Sequence, residues 1–268
     1  SAATSASPLD ATAAIPVTKR FSLVGDKETR IKEKSLALKL DLKSGGTASQ
    51  EDTAEQSTVE KISEVVAVEG ELVTKIKVEY RRHLAKRRSN RGNSDEKSPL
   101  DGKTYFVELK DKQVVITGAD GKPPPARELD ELKEDHKNFA KGPRLLKAFP
   151  DSVKVGDSLD EFAKVFSEAA AGGAEGQGDI KKAVAKVTGV RDEGGVRIVT
   201  ISIDIGMEGK LRAGMEGKVS LSGTMDIRAD RCWPVASKVS GPVEFTFAGK
   251  GLSGTAKGTL TESTTATY

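Results

Sequence analysis

A single cysteine, Cys232, stands in a chain of 268 residues, so no disulfide can form within it and no multi-cysteine metal site can be built. Histidine is almost as scarce. His83 and His136 are the only two, neither has a second His or Cys at ligand spacing, and no metal site is implied. Aromatic residues make up 4% of the chain and hydrophobic residues 36%, against 31% charged, which describes a folded protein with a thin aliphatic core. Basic and acidic residues are interspersed and leave a net charge of +3, so no field of one sign points to nucleic acid. No run approaches the roughly 18 consecutive apolar residues of a membrane-spanning helix. No GxSxG, HExxH, Walker or GxGxxG pattern occurs in a strand-turn-helix setting, and carboxylate pairs such as Asp130 with Glu134 fall on a solvated helix face. The composition therefore predicts a non-catalytic protein with no cofactor and no transmembrane segment.

What is present is alternation. In SLALKLDL, Leu36, Leu38, Leu40 and Leu42 share one face and Ala37, Lys39 and Asp41 the other, the period of a half-buried strand. Val17–Val24 is a short candidate strand. Ser44–Gln56, rich in Gly, Ser, Thr and Asp, reads as a turn, and Thr58–Val68 and Leu72–Leu84 as an antiparallel pair around Glu69-Gly70. A hairpin over Tyr105–Leu109 and Val114–Thr117 turns at Asp111-Lys112. After Gly121–Pro125 comes an amphipathic helix, Ala126–Lys141, with Leu129, Leu132, His136 and Phe139 on its apolar edge and Glu128 among the charges around it; Gly142-Pro143 ends it. Ser158–Ala171 is a second helix, with Ser158 and Glu161 in the capping-box pattern and Leu159, Phe162, Val165 and Phe166 as its buried stripe, followed by a loop over Gly172–Gly178. Five more strands follow, over Ile180–Val190, Val196–Ile205, Gly217–Ala229, Val235–Phe247 and Leu252–Thr264. Strands of this length must coil or close, and Gly223, Gly241, Gly249, Gly251, Gly254 and Gly258 mark sharp sheet curvature. The repeated GMEG at 206–209 and 214–217 reads as a turn with a bulge.

The fold class expected is therefore mainly β, α+β overall: long antiparallel strands in a strongly curved sheet covered by two mid-chain helices. Residues 1–16, SAATSASPLDATAAIP, are small, polar and nearly uncharged and read as a flexible tether; 17–268 reads as one domain with a helical insert at about 125–171. Phe149–Leu159, FPDSVKVGDSL, is a crossover inside that domain, in which Val153 and Val155 lay a short edge segment and Asp157-Ser158 caps the second helix. The N-terminal tract is the kind that follows the cleavage point of an exported bacterial protein or the lipid-bearing cysteine of a lipoprotein. The expected location is the periplasm, following a cleaved signal, or the outer membrane, following a lipid anchor before residue 1.

Two short stretches stand out. Arg81–Arg91, RRHLAKRRSNR, is the densest cationic stretch, and Arg82, Arg87 and Arg88 are candidates for contact with anionic headgroups or a partner, because guanidinium forks match phosphate geometry; the competing reading is an ordinary solvated basic loop. Cys232-Trp233-Pro234 holds the lone Cys and the lone Trp; against a reactive thiol or an aromatic anchor, it reads as structural, with Cys232 a small buried hydrophobe and Pro234 starting the next strand.

Leu145–Leu159, LLKAFPDSVKVGDSL, together with the layout of long antiparallel strands around a mid-chain pair of helices, resembles an uncharacterised group of bacterial envelope proteins similar to the LolA/LppX-like class. The resemblance covers roughly residues 17–265. It implies an incomplete β-barrel closed by helices over a hydrophobic cavity, and no catalytic residue. The expected function is binding of a lipid or acyl chain in the concavity, with Leu38, Leu40, Ile76, Val78, Ile201, Ile203, Leu221 and Met225 as lining candidates. The alternative is a structural or interaction protein of the envelope, with its core filled by those side chains and its surface engaging a protein partner.

Overall fold

The computed structural model describes residues 13–171, 177–212, 214–249 and 251–268. Residues 1–12 of the expected tether over 1–16, and residues 172–176 of the expected loop over Gly172–Gly178, lie outside the described residues. Among the described residues thirteen strands and three α-helices follow the order β1 (Ile15–Pro16), β2 (Lys27–Ser44), β3 (Thr47–Glu69), β4 (Leu72–Ser89), β5 (Gly92–Lys97), β6 (Thr104–Lys110), β7 (Gln113–Gly118), α1 (Ala126–Asp135), α2 (Arg144–Ala148), β8 (Ser152–Val153), α3 (Asp160–Ala171), β9 (Gln177–Glu193), β10 (Val196–Arg212), β11 (Met215–Arg228), β12 (Trp233–Gly249) and β13 (Leu252–Thr267).

One antiparallel sheet of 11 strands dominates, in the order β7-β6-β4-β3-β2-β13-β12-β11-β10-β9, with β5 paired to β4. It is not closed into a barrel. Its two halves are sewn together by the first long strand and the last: β2 and β13 stay in register from Thr29↔Thr267 to Ser44↔Leu252. The chain leaves the sheet at one edge, β7, and re-enters at the other, β9, so the helices between them must pass from edge to edge. This bears out the expected mainly β class, an open curved sheet with few helices over it.

Register shows why the sheet curves. Gly258 on β13 lies opposite Leu38 and Val243, Gly241 on β12 opposite Leu260, and Gly223 on β11 opposite Val239 and Ile203. From β13 to β11 each glycine sits one same-face position nearer the helix-covered end, so the three draw a diagonal across the sheet. At each, the neighbouring backbone comes so close that a Cβ would lie 1.7 Å from the Ala37 oxygen (Gly258), 1.9 Å from the Ser220 oxygen (Gly241) or 1.9 Å from the Lys238 oxygen (Gly223). No side chain fits there, so the diagonal is a crease along which the sheet can fold over. Gly254 belongs to the same set, with the Phe247 ring lying over it. Gly251 instead serves a turn at φ 78°, and Gly249 meets nothing within 4 Å.

Several boundaries differ from the sequence expectation. Ser44–Gln56 is not a turn; the reversal is confined to Gly45 and Gly46, both at positive φ, and Thr47 begins a strand of 23 residues. Its polar first half is extended because β2 pairs with it residue for residue, Leu40↔Glu51 and Leu38↔Thr53 among others. Arg81–Arg91 is not a loop: β4 continues to Ser89 and returns as β5, pairing Arg88↔Asn93. Val17–Val24 is not a strand, although Thr18 N–H donates to the Ala229 carbonyl at 2.8 Å. Ile15 and Pro16, grouped by composition with the tether, pair with Val153 and Ser152, so the expected edge segment in the crossover meets the N-terminal chain. The GMEG repeat falls on strands: 206–209 lies within β10, with a register shift at Gly206/Met207, and Gly214 takes φ 75° before β11.

The helices also shift. The first ends at Asp135, not Lys141, and a 3-10 turn, Phe139–Lys141, and the short α2 follow. Asp157-Ser158 does not cap α3. Ser158 bridges to Lys186 of β9, Leu159 N–H donates to the Ala185 carbonyl at 2.9 Å, and part of the open β9 edge is thereby covered.

Two buried clusters flank the middle of the sheet. On one side Leu132 of α1 packs with Val78, Tyr80, Tyr105, Val107 and Ile116. On the other, Leu159, Phe162 and Ala163 at and within α3 pack with Phe149, Ala185, Val187, Val199, Ile201 and Ile203; the Phe149 and Phe162 rings meet edge to face at 5.4 Å, a preferred aromatic geometry.

Candidate functional site: a cavity under the helical crossing

Between the two clusters the crossing does not touch down completely. A cavity of about 580 Å³ remains, inside the roughly 300–1,000 Å³ range of ligand pockets. Its apolar wall includes Phe139, Leu145 and Leu146 from the crossing, Phe162 and Val165 from α3, and Leu72 and Ile76 from β4. Met225, Ile227 and Trp233 complete it from the other half of the sheet. The crossing is pinned at the start of β4, where Lys147 pairs with Glu71 at 2.6 Å and Gly142, at φ 66°, faces Leu72.

Of the lining candidates from sequence, Ile76 and Met225 line this cavity. Val78 is fully buried under α1, and Ile201 and Ile203 are buried beneath α3. Leu38, Leu40 and Leu221 are half-buried farther along the sheet, on the face that carries the crease, and do not border the cavity. Period two identifies the inward face but not the distance along the strand, and β2 is 18 residues long.

One wall is polar, and sequence gave little sign of it. Asp135, at the end of α1, accepts from Lys61 Nζ at 2.6 Å and from Tyr80 Oη at 2.5 Å. Tyr80 Oη also lies 3.3 Å from His136 Nε2; since its single proton goes to Asp135, the imidazole donates through Nε2. Burial alone would raise the Asp135 carboxyl, yet Lys61 and the Tyr80 hydroxyl hold it well below the ordinary carboxylate range. Burial moves His136 the opposite way, down to about 4, and pushes the Tyr80 phenol far up, with Asp135 adding to the effect. The histidines, remote in sequence, flank one tyrosine, for the His83 ring stacks on Tyr80 at 6.1 Å. Beside this group Arg30 pairs with Glu28 at 2.7 Å, and Arg20 pairs with Asp26 at 2.8 Å while lying over Trp233. Glu128, expected on the solvated side of α1, is buried and accepts from Tyr105 Oη and Lys103 Nζ, both at 2.6 Å.

Cys232 borders the cavity with φ 56° and 5% exposure, and burial pushes its thiol up to about 12. The thiolate is the reactive form. An aromatic disulfide reagent at about pH 8 is therefore expected to label native protein at least about a hundredfold more slowly than urea-unfolded protein; equal rates would show an accessible thiolate.

Of the basic stretch, Arg87 holds Glu55 at 3.0 Å, Arg88 holds Asp95 at 2.7 Å and Arg91 holds Glu51 at 3.0 Å. Arg82 lies exposed opposite Glu60 on β3. Most of these cations already have carboxylate partners. Among the described residues no group of three or more His, Cys, Asp or Glu could hold a metal ion, and no helix is long and apolar enough to cross a membrane.

No family model and no curated protein matches the chain. Solved structures give weak likenesses. Lipovitellin, in a structure describing its lipid–protein interactions, is 6% identical with a TM-score of 0.34 over 90% of this chain, and this chain spans only 25% of lipovitellin. DynF, from the dynemicin biosynthesis pathway of Micromonospora chersina, is 8% identical with a TM-score of 0.22, covering 97% of this chain and 90% of DynF. A DUF1329 family protein from Desulfovibrio piger is 8% identical with a TM-score of 0.17, covering 88% and 83%. Likenesses this weak carry no argument about function.

Proposed function

We propose that the chain is a non-catalytic binding protein that takes up a lipid or another molecule with a long apolar chain between its curved sheet and the helical crossing. The observation that supports this reading is the cavity itself. Both flanking clusters are packed to near-zero exposure at Tyr80, Leu132, Phe149 and Ile201, yet the space between them stays open and lined by Leu, Ile, Val, Phe and Met. A protein selected only for a filled interior has no use for such a gap, because unfilled apolar volume costs stability. The open apolar gap favours a carrier over the alternative of an envelope protein that acts solely through its surface. Location in the bacterial envelope belongs to the same proposal and is supported by the resemblance carried by Leu145–Leu159.

Native mass spectrometry of protein purified from a bacterial host and incubated with cis-parinaric acid tests the reading. The expected spectrum contains a one-to-one adduct; a spectrum of bare protein at every ratio would overturn it.

A further inference from the structure

Among the described residues the charges around the cavity are paired with one exception, and that exception suggests which end of a ligand goes where. This inference rests on the reading of the cavity as a ligand site. Basic residues on its lining are Arg20, Lys27, Arg30, Lys61, Lys141 and Arg144. Arg20 is held by Asp26, Arg30 by Glu28 and Lys61 by Asp135, as above; Lys27 lies 3.4 Å from Glu64 and Arg144 lies 2.6 Å from Glu168. The remaining lining acid, Glu71, is held by Lys147. Among the described lining residues Lys141 alone is a cation with no carboxylate partner.

We propose that Lys141 anchors the head of a single-chain amphiphile carrying one anionic group, such as a carboxylate, while the chain lies along Leu145, Leu146, Phe162 and Val165. Lys141 is exposed while bordering the cavity, which places it at the rim. It closes the Phe139–Lys141 turn, its N–H donating to the Asn138 carbonyl at 3.0 Å, and Gly142 then reverses the chain. Asn138 borders the same cavity, and its side-chain oxygen is buried without a partner; half a turn of the amide offers N–H groups to a ligand oxygen instead. An anion placed at any other lining cation meets a carboxylate already bound there, and the repulsion offsets the attraction. At Lys141 no paired carboxylate among the described residues stands in its place. A neutral head would leave the ammonium group without a counter-charge.

Displacement of the neutral probe N-phenylnaphthylamine by dodecanoate, dodecanol and dodecylammonium tests the assignment. In the wild type, dodecanoate is expected to compete about fivefold more strongly than dodecanol, the gain from one partly screened ion pair, and the preference should shrink at high salt. Lys141→Gln is expected to level the two, and Lys141→Glu to favour dodecylammonium. Lys141 is exposed and unpaired, so neither substitution removes a contact that holds the fold. Equal competition by acid and alcohol in the wild type, or an acid preference that survives in Lys141→Gln, would overturn the anchor and leave the cavity reading standing. Failure of the probe and all three competitors to bind would overturn the cavity reading and the anchor with it.

Discussion

Replacing Gly258 by alanine is expected to destabilise the protein by about 3 kcal/mol, the upper part of the usual range for overpacking, because no rotamer choice can relieve a clash made by Cβ. Built on the native backbone, that carbon would sit 1.7 Å from the Ala37 carbonyl oxygen, so β2 and β13 would have to separate where they join the two halves of the sheet. Gly241→Ala and Gly223→Ala meet the Ser220 and Lys238 oxygens at 1.9 Å and are expected to cost a similar amount. The costs should not add, because the three positions share one crease. Gly189→Ala is the internal control: it too lies within a strand, but its Cβ would find only Thr200 at 3.9 Å, an ordinary contact, so its effect should stay within about 0.5 kcal/mol. Urea midpoints of the four variants check this. A Gly258→Ala variant as stable as Gly189→Ala would mean that the sheet does not crease along the diagonal.

Acid should weaken the fold through His136. The ordinary value of its imidazole is 6.5, and burial lowers it to about 4 in the folded chain. Between those values the unfolded chain takes up a proton and the folded one does not. Stability is therefore full above about pH 6.5, falls as pH drops toward about 4, and loses nothing further from this group below that. At about pH 4.5 the loss from His136 is expected to be about 2.5 kcal/mol relative to about pH 7.5. Facing groups pull in both directions, since Asp135 favours the imidazolium while Lys61 and Arg30 oppose it. His83 is also lowered by burial and adds a loss of the same sign, so the readout is the difference between wild type and His136→Gln. The variant should be less stable at neutral pH but lose about 2 kcal/mol less on acidification. Parallel pH profiles for the two would contradict a neutral, buried His136.

Sequence showed the fold class because its signal is local. Leu36–Leu42 and Val199–Ile205 alternate strictly, and the glycines at 223, 241, 254 and 258 stand where only a strand under tight curvature tolerates them. Strand length was less visible, since Thr47–Ser57 has no apolar alternation of its own and is extended through pairing with β2. Hidden as well was the crossing between the edges of the sheet. Nothing in Asp135-His136 announces that α1 stops there, because the reason lies on β3 and β4, in Lys61 and Tyr80, more than fifty positions earlier in the chain. The polar wall of the cavity is illegible for the same reason. Arg30, Lys61 and Tyr80 occupy adjacent strands, and a register shift at Glu60/Lys61 brings Tyr80 opposite Lys61; a one-residue offset of that kind cannot be read from spacing. Apolar lining from Ile76 and Met225 could be found by periodicity, whereas Leu145 and Leu146 sit on a five-residue helix too short to show a period.

Titration of N-phenylnaphthylamine into the wild type and into Ile76→Trp/Leu146→Trp tests whether the cavity binds an apolar ligand, because both substitutions enlarge side chains that border it, one from the sheet and one from the helical crossing. Saturable one-to-one fluorescence enhancement is expected in the wild type and an affinity at least about tenfold weaker in the double variant, a loss of about 1.4 kcal/mol. Unsaturable enhancement, or identical binding curves for the two proteins, would contradict binding in the cavity.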